Sequence, residues 1–317
     1  MNFRSTTVKH MRTLSPSAQR DKLFDIIKHN LTALRKQVEY LNTLPTSLRM
    51  MRMGSDILPL YTHEEFLDLY TDDSIQHTIR DSLAATGARA REYDCRLSFH
   101  PGQFCILNSV QPHVIQNSID EIEYHTDVAR WLGYGGSWHP YGFAINIHTG
   151  GRQGGLTEFR RNFQYLSPDA RNLLTVENDE ISYGLDDMID LGDTCPVVLD
   201  IHHEWVKTGA YIRPSDARWQ RVVDSWRGVR PKIHYSASRE DLIAEHADRL
   251  PDLAILLEQG YKKQKLRAHS DLCWNSTINS WALEFLPHTD IMCEMKCKNL
   301  ASKQLYDQAI TENIIQP

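Results

Sequence analysis

Six residues of metal-binding type stand directly behind short strand-like runs: His100 after Cys95 to Phe99, His148 after Phe143 to Ile147, Glu177 after Leu173 to Val176, Asp200 after Val197 to Leu199, His234 after Pro231 to Ile233, and Glu294 after Asp290 to Cys293. Imidazoles and carboxylates without thiolates suit Zn, Mn, Fe or Co, and a set of this size can hold more than one ion. Two such ions can clamp an in-line phosphoryl displacement, one making hydroxide and the other stabilising the leaving oxygen. Glu177, near the middle of the set, is the expected bridging carboxylate. Lys232 and His234 alternate, so both point to the same side of their strand. His203 and His269, the latter in Ala268-His-Ser-Asp271, are candidates for a further metal position. His63 is a weaker candidate, with turn capping as its competing role, and His202 is expected to pack or cap beside the site.

Each residue taken singly has a plainer reading. Asp200 can cap the helix that follows it, Glu294 can pair with Lys296, and Lys232 can pair with a neighbouring carboxylate. Six coincidences of that kind at the ends of six strands are harder to accept than one shared site.

The elements that must position these residues alternate along the chain. Ser15-Pro16-Ser17 opens a helix whose apolar residues Leu23, Phe24, Ile27, Leu31, Leu34 and Val38 follow helical spacing. A strand is expected over Ser47 to Met53, and Thr71-Asp-Asp-Ser74 caps a helix through Ile75, Ile79 and Leu83. Helices are expected near Val114 to Trp131, Leu156 to Tyr165, Leu185 to Leu191 and Asp216 to Trp226, each leading into one of the strands above. A long polar segment with Lys262, Lys263, Lys265 and Arg267 precedes the last strand. Alternation without a break in composition predicts a single α/β domain over residues 1–317 with a parallel sheet. Ligand-type residues at the carboxyl ends of six strands favour a TIM (β/α)8 barrel, whose sites form at that face. Seven strands are counted, so the first strand is expected either to lie upstream of Met1 or to be missing, with the barrel closing irregularly.

The bulk numbers agree with a soluble globular chain: 41% hydrophobic and 24% charged residues. No apolar run nears the roughly 18 residues of a membrane span, and the first residues lack the apolar stretch of a secretory signal, so a cytoplasmic protein with no membrane partner is expected. The six cysteines form no C-x-x-C pair and read as reduced thiols. A net charge of −6 argues weakly against nucleic acid. Two or three bound divalent cations would add about +4 to +6 where a phosphate would sit.

The strings Met53-Gly-Ser-Asp-Ile-Leu-Pro-Leu-Tyr-Thr-His63, Leu97-Ser-Phe-His-Pro-Gly-Gln-Phe104, Val176-Glu-Asn-Asp-Glu180, Val198-Leu-Asp-Ile-His-His203, Pro231-Lys-Ile-His234, Ala268-His-Ser-Asp271 and Cys293-Glu-Met-Lys296 resemble, in order, the motifs of the UV damage endonucleases. The resemblance implies a barrel related to endonuclease IV, divalent metals with manganese the expected one, and a monomer acting on double-stranded DNA that carries UV lesions, associated with the nucleoid when bound. It implies incision 5′ to pyrimidine photoproducts, leaving a 3′-hydroxyl and a 5′-phosphate. It assigns Glu177 as the bridge, His100 and His148 to one metal, Asp200, His234 and Glu294 to the second, and His203 and His269 to the third. Lys232 falls at a carboxylated lysine, which turns a cation into an acid. Gln103 and Phe104 fall at a pair of side chains that probes the lesion, where Phe104 replaces an expected tyrosine. Its ring can still wedge between bases, without the hydroxyl's hydrogen bond. Asn2, Arg4 and His63 are the remaining expected DNA contacts, and Lys9, Arg152, Arg160 and Arg161 are candidates by position and charge. Two other functions fit the same residues: a metal-dependent sugar isomerase, and a lesion-binding protein that does not cut.

Overall fold

Seven short strands set the architecture: β1 (Met50–Met53), β2 (Arg96–Phe99), β3 (Ala144–His148), β4 (Leu174–Glu177), β5 (Val197–Asp200), β6 (Lys232–Tyr235) and β7 (Asp290–Cys293). They follow one another through the sheet in chain order, the strand order of a (β/α) barrel. This computed structural model describes residues 2–316. Two compact units can be distinguished, Met1–Ile147 with Arg161–Leu174, and His148–Arg160 with Thr175–Pro317.

In the first unit β1 pairs in parallel with β2, Met50 opposite Arg96, and β2 with β3, Ser98 opposite Ala144. Three long helices, Pro16–Leu41, Asp73–Glu92 and Pro112–Leu132, supply most of its core. The first starts where Ser15 accepts from the Ala18 N–H with Pro16 already at helical φ, and it buries Leu23, Ile27, Leu31, Leu34 and Val38. The second starts at Asp72, whose carboxylate accepts from the Ser74 and Ile75 N–H groups. Gly87 on that helix faces the Leu132 carbonyl so closely that a Cβ would lie 1.8 Å from its oxygen, so only glycine permits this approach.

In the second unit β4, β5, β6 and β7 pair in parallel, with Val176 opposite Val197, Leu199 opposite Ile233, and His234 opposite Met292. Strands β4, β5 and β6 are buried along their whole length, which is why β5 reads as an unbroken apolar run before Asp200. Trp226 is fully buried and its indole N–H donates to the Val197 carbonyl at 2.9 Å, tying the end of helix Ala217–Ser225 to the start of β5.

Three local expectations change. The strand begins at Met50 rather than Ser47, because Pro45 leads into a 3-10 turn over Thr46–Leu48. A helix at Pro168–Leu173, capped by Ser167 with Pro168 at its first position, precedes β4; that Ser-Pro pair was its signal in the sequence. The polar stretch before β7 is not a plain loop and holds the helices Leu253–Glu258, Lys263–Leu266 and Ser276–Leu283.

Candidate metal centre

The ends of four adjacent strands in the second unit bring Glu177, Asp200, His234 and Glu294 together, with one ligand atom from each lying within 4.8 Å of all the others. The Glu177 Oε1 is 3.0 Å and the Glu294 Oε1 3.4 Å from the His234 Nδ1. Glu177 and Asp200 are fully buried, His234 nearly so. Lys232, two residues before His234 on β6, is buried as well.

Neighbouring backbone fixes these side chains. Asp200 is the N-cap of helix Ile201–Thr208 and its Oδ1 accepts from the His203 N–H at 2.8 Å. That leaves Oδ2 buried and without a hydrogen bond among the described residues, the nearest imidazole nitrogen being His203 Nδ1 at 3.6 Å. The Asn178 side chain clasps Asp200 from the next strand, its amide oxygen accepting from the Asp200 N–H at 2.8 Å and its amide nitrogen donating to the Asp200 carbonyl at 3.0 Å. His203 turns Nδ1 toward the Asn178 carbonyl at 3.2 Å, and His269 turns Nδ1 toward the Glu294 carbonyl at 2.9 Å. Each ring thereby keeps Nε2 free of that carbonyl, the way a backbone carbonyl orients imidazoles that bind metals. The two ring centres are 6.0 Å apart, and the His148 ring is 5.9 Å from that of His203. Glu180 adds a carboxylate on the same side, with Oε2 3.8 Å from His203 Nε2 and Oε1 3.0 Å from the Arg267 guanidinium.

The charge is unbalanced. Burial pushes the Asp200 carboxyl well above its usual range, helped by repulsion from Glu177 and Glu294 and opposed by His203. Burial disfavours charge on His203, but Asp200, Glu177 and Glu180 together outweigh it and raise its pKa to about 9. Burial wins at His234, which is lowered despite Glu177 and Glu294. Three carboxylates around one imidazole in a buried space, one of them with an oxygen lacking a hydrogen bond, fit a divalent cation better than they fit each other. Lys296 pairs with Asp271, and His202 packs as expected, stacked on Trp205 with its ring held neutral by burial.

The other candidate residues divide between the units. In the first, His100 follows β2 with Nδ1 3.1 Å from the Pro101 carbonyl. Gln103 and Phe104 stand exposed on a tight turn closed by the Cys105 N–H to the Gly102 carbonyl at 2.9 Å. Phe104 is 81% exposed, although the turn is firmly rooted by Ile106 N to Ser118 Oγ at 2.8 Å and Asn162 Nδ2 to Leu107 O at 2.7 Å. Asn2 and Arg4 lie on an extended segment that Asn30 pins through both the N–H and carbonyl of Arg4. Phe3 on that segment lies against Gly54, just past the end of β1. His63 caps a 3-10 turn, accepting from the Glu65 N–H at 3.3 Å. In the second unit Arg160 is bound to the Asp190 carbonyl and to Asp193, and Arg152 donates to the Ser182 carbonyl at 2.8 Å and lies 3.4 Å from Asp187. Both already have protein partners. Asn30, Asn178 and Glu180 were not singled out from sequence; Asn178 and Glu180 sit inside the string that carries Glu177, which was their only signal.

Comparison with known proteins identifies relatives of the whole chain. The family model described as UV-endonuclease UvdE matches residues 1–316. A UV DNA damage endonuclease of Bacillus velezensis is 29% identical over 260 residues, covering 77% of this chain and 75% of that protein. One from Bacillus cereus is 26% identical over 320 residues, covering 96% and 88%. Among solved structures, that of SacUVDE superposes with a TM-score of 0.72 at 22% identity, covering 98% of this chain and 94% of that one. The last likeness shows the fold.

Proposed function

Because this chain belongs to the UV-endonuclease UvdE family, we propose that it is a metal-dependent DNA repair endonuclease that hydrolyses the phosphodiester bond 5′ to UV photoproducts in duplex DNA, leaving a 3′-hydroxyl and a 5′-phosphate. The observation that carries this reading is the buried set Glu177, Asp200, His234 and Glu294 at adjoining strand ends. Its donors are all oxygen or imidazole nitrogen, which suits manganese.

Divalent ions held there would activate water and stabilise developing charge at neutral pH. Glu177 would be shared between two of them. Asp200, His234 and Glu294 would hold one ion, His100 and His148 another, and His203 with His269 a third. Asn178 holds the Asp200 backbone in place, and the Asn178 and Glu294 carbonyls fix the ring orientation of His203 and His269. Lys232, buried on the strand of His234, is the residue for carboxylation. Gln103 and Phe104 enter the duplex at the lesion, with Asn2, Arg4 and His63 as flanking contacts. An apolar ring held exposed on a rooted turn supports this role for Phe104. We take the enzyme to be a monomer, with one endonuclease domain formed by the whole chain, working in the cytoplasm on nucleoid DNA.

Incision of a defined photoproduct duplex with manganese, and its loss in chelator, tests the proposal. Turnover of a ketose without any nicking would replace it with an isomerase. Tight binding of the irradiated duplex without cleavage under any divalent metal would leave only lesion recognition.

A further inference from the structure

The chain is acidic overall, at −6, yet residues 262–267 carry Lys262, Lys263, Lys265 and Arg267, with no acidic residue between Glu258 and Asp271. Three of these four are exposed, and the turn is not loose. Leu266 is fully buried beneath it. The Leu266 carbonyl accepts from Ser238 Oγ at 2.6 Å, and the buried His202 ring lies against the same carbonyl. Lys263 reaches the Lys207 carbonyl at the end of helix Ile201–Thr208, the helix that carries His203. Arg267 is paired with Glu180, which faces His203, and the chain then runs through Ala268 into His269. A basic strip is thus fastened at several points beside two of the imidazoles.

Lys262 and Lys265 have no hydrogen-bond or ion-pair partner among the described residues, and they stand on a short helix whose apolar side is anchored. A solvated lysine face needs no such fastening, and its charge runs against that of the whole chain. We propose that Lys262 and Lys265, with Lys263 beside them, form a docking strip for the phosphate backbone of duplex DNA flanking the His203 and His269 position. The inference rests on the endonuclease reading above and adds a contact surface on this chain to it. Point-like ammonium groups on exposed stems suit phosphates without reading sequence, so the strip serves affinity and orientation rather than lesion choice.

The experiment is the salt dependence of duplex binding, measured by fluorescence anisotropy with the manganese-loaded full chain. Each phosphate neutralised contributes about 0.9 to the slope of log affinity against log salt. The double variant Lys262→Gln/Lys265→Gln should lower the slope by about 1.8, so that between about 50 and 200 mM salt it loses roughly tenfold less affinity than the wild type does. Metal content and melting temperature should not change. The pair Lys22→Gln/Lys36→Gln, exposed on helix Pro16–Leu41, removes the same charge elsewhere and should leave the slope as it is. An unchanged slope in the first variant, or an equal drop in both, overturns the strip while leaving the nuclease reading intact. If the wild type binds no DNA under any salt, the endonuclease reading falls and the strip with it. Should the double variant melt early, the single variants must each lower the slope by about half as much.

Discussion

Glu177→Gln should move stability in opposite directions with and without metal. In the metal-free protein Glu177 shares a buried space with Asp200 and Glu294, with ligand atoms 4.8 Å or less apart. At an effective dielectric near 20, two full charges at that limiting distance repel by about 3.5 kcal/mol, so the two pairs involving Glu177 would amount to about 7 kcal/mol or more if all three groups were charged. Most of this is not expressed, because burial raises the Asp200 carboxyl and lets it take up a proton. Gln keeps the shape and can still accept from the His234 Nδ1 that lies 3.0 Å away. A net stabilisation of about 1–3 kcal/mol is expected in chelator, a rise in Tm of roughly 2–8 °C. With manganese the order reverses. The wild type gains about 2.7 kcal/mol at a free metal level a hundredfold above Kd, and the variant loses most of that gain along with its bridging oxygen. Thermal melts of both proteins in chelator and in manganese, read beside incision of a photoproduct duplex, test this directly. A variant that is less stable in chelator, gains as much from manganese and still cuts would make Glu177 an ordinary core residue and refute the bridging assignment.

Phe104→Ala should leave metal content and melting untouched, since the ring is exposed, while weakening preference for damaged over intact duplex by about 5- to 100-fold, the range of one lost stacking contact. Competition binding with irradiated and intact duplexes measures it, and an equal loss on both would show that the ring does not probe lesions. His125, fully buried against Phe99 in the first unit, has its pKa lowered to about 4 by burial. Between pH 6.5 and 4 the unfolded chain takes a proton that the folded state refuses, so the His125 contribution is complete above pH 6.5 and is lost as pH falls toward 4, a change of about 3 kcal/mol. Urea unfolding across that range should have a shallower pH slope in His125→Gln; identical slopes would mean the histidine titrates freely. Gly87→Ala should cost about 1–3 kcal/mol or more, because its methyl must displace the Leu132 carbonyl, and a Tm equal to the wild type would contradict that close approach.

The parts of the fold legible in the sequence were those with a strong local cause. Fully buried parallel strands leave unbroken apolar runs, so β5 could be read at Val197 to Leu199 and Asp200 marked where the strand gives way. The helix Pro16–Leu41 was announced by Ser15 and Pro16. Glu177, Asp200, His234 and Glu294 were legible as a group because each stands at the end of a short strand, and the strand order brings those ends side by side. What stayed hidden depends on partners distant in sequence. Nothing local says that Asn178 will grip Asp200, 22 residues on, or that Arg160 will be taken by Asp190 and Asp193. The start of β1 was misjudged because Thr46 to Leu48 has strand-like composition while Pro45 bends the chain into a turn.

The Asn178 clasp also bears on how the protein ages. Asparagine loses its amide when the following backbone nitrogen attacks the side-chain carbonyl, and here that product would be an aspartate facing the Asp200 carbonyl, a fourth acid in a space that already holds three. Both halves of the reaction are hindered: the amide is held by two hydrogen bonds to Asp200, and the Asp179 nitrogen is engaged with the Tyr183 carbonyl at 2.7 Å. Chemical wear at this residue therefore requires the 179–183 loop to open first, and the centre's shelf life is set by the opening rate of that loop rather than by the intrinsic lability of its asparagine.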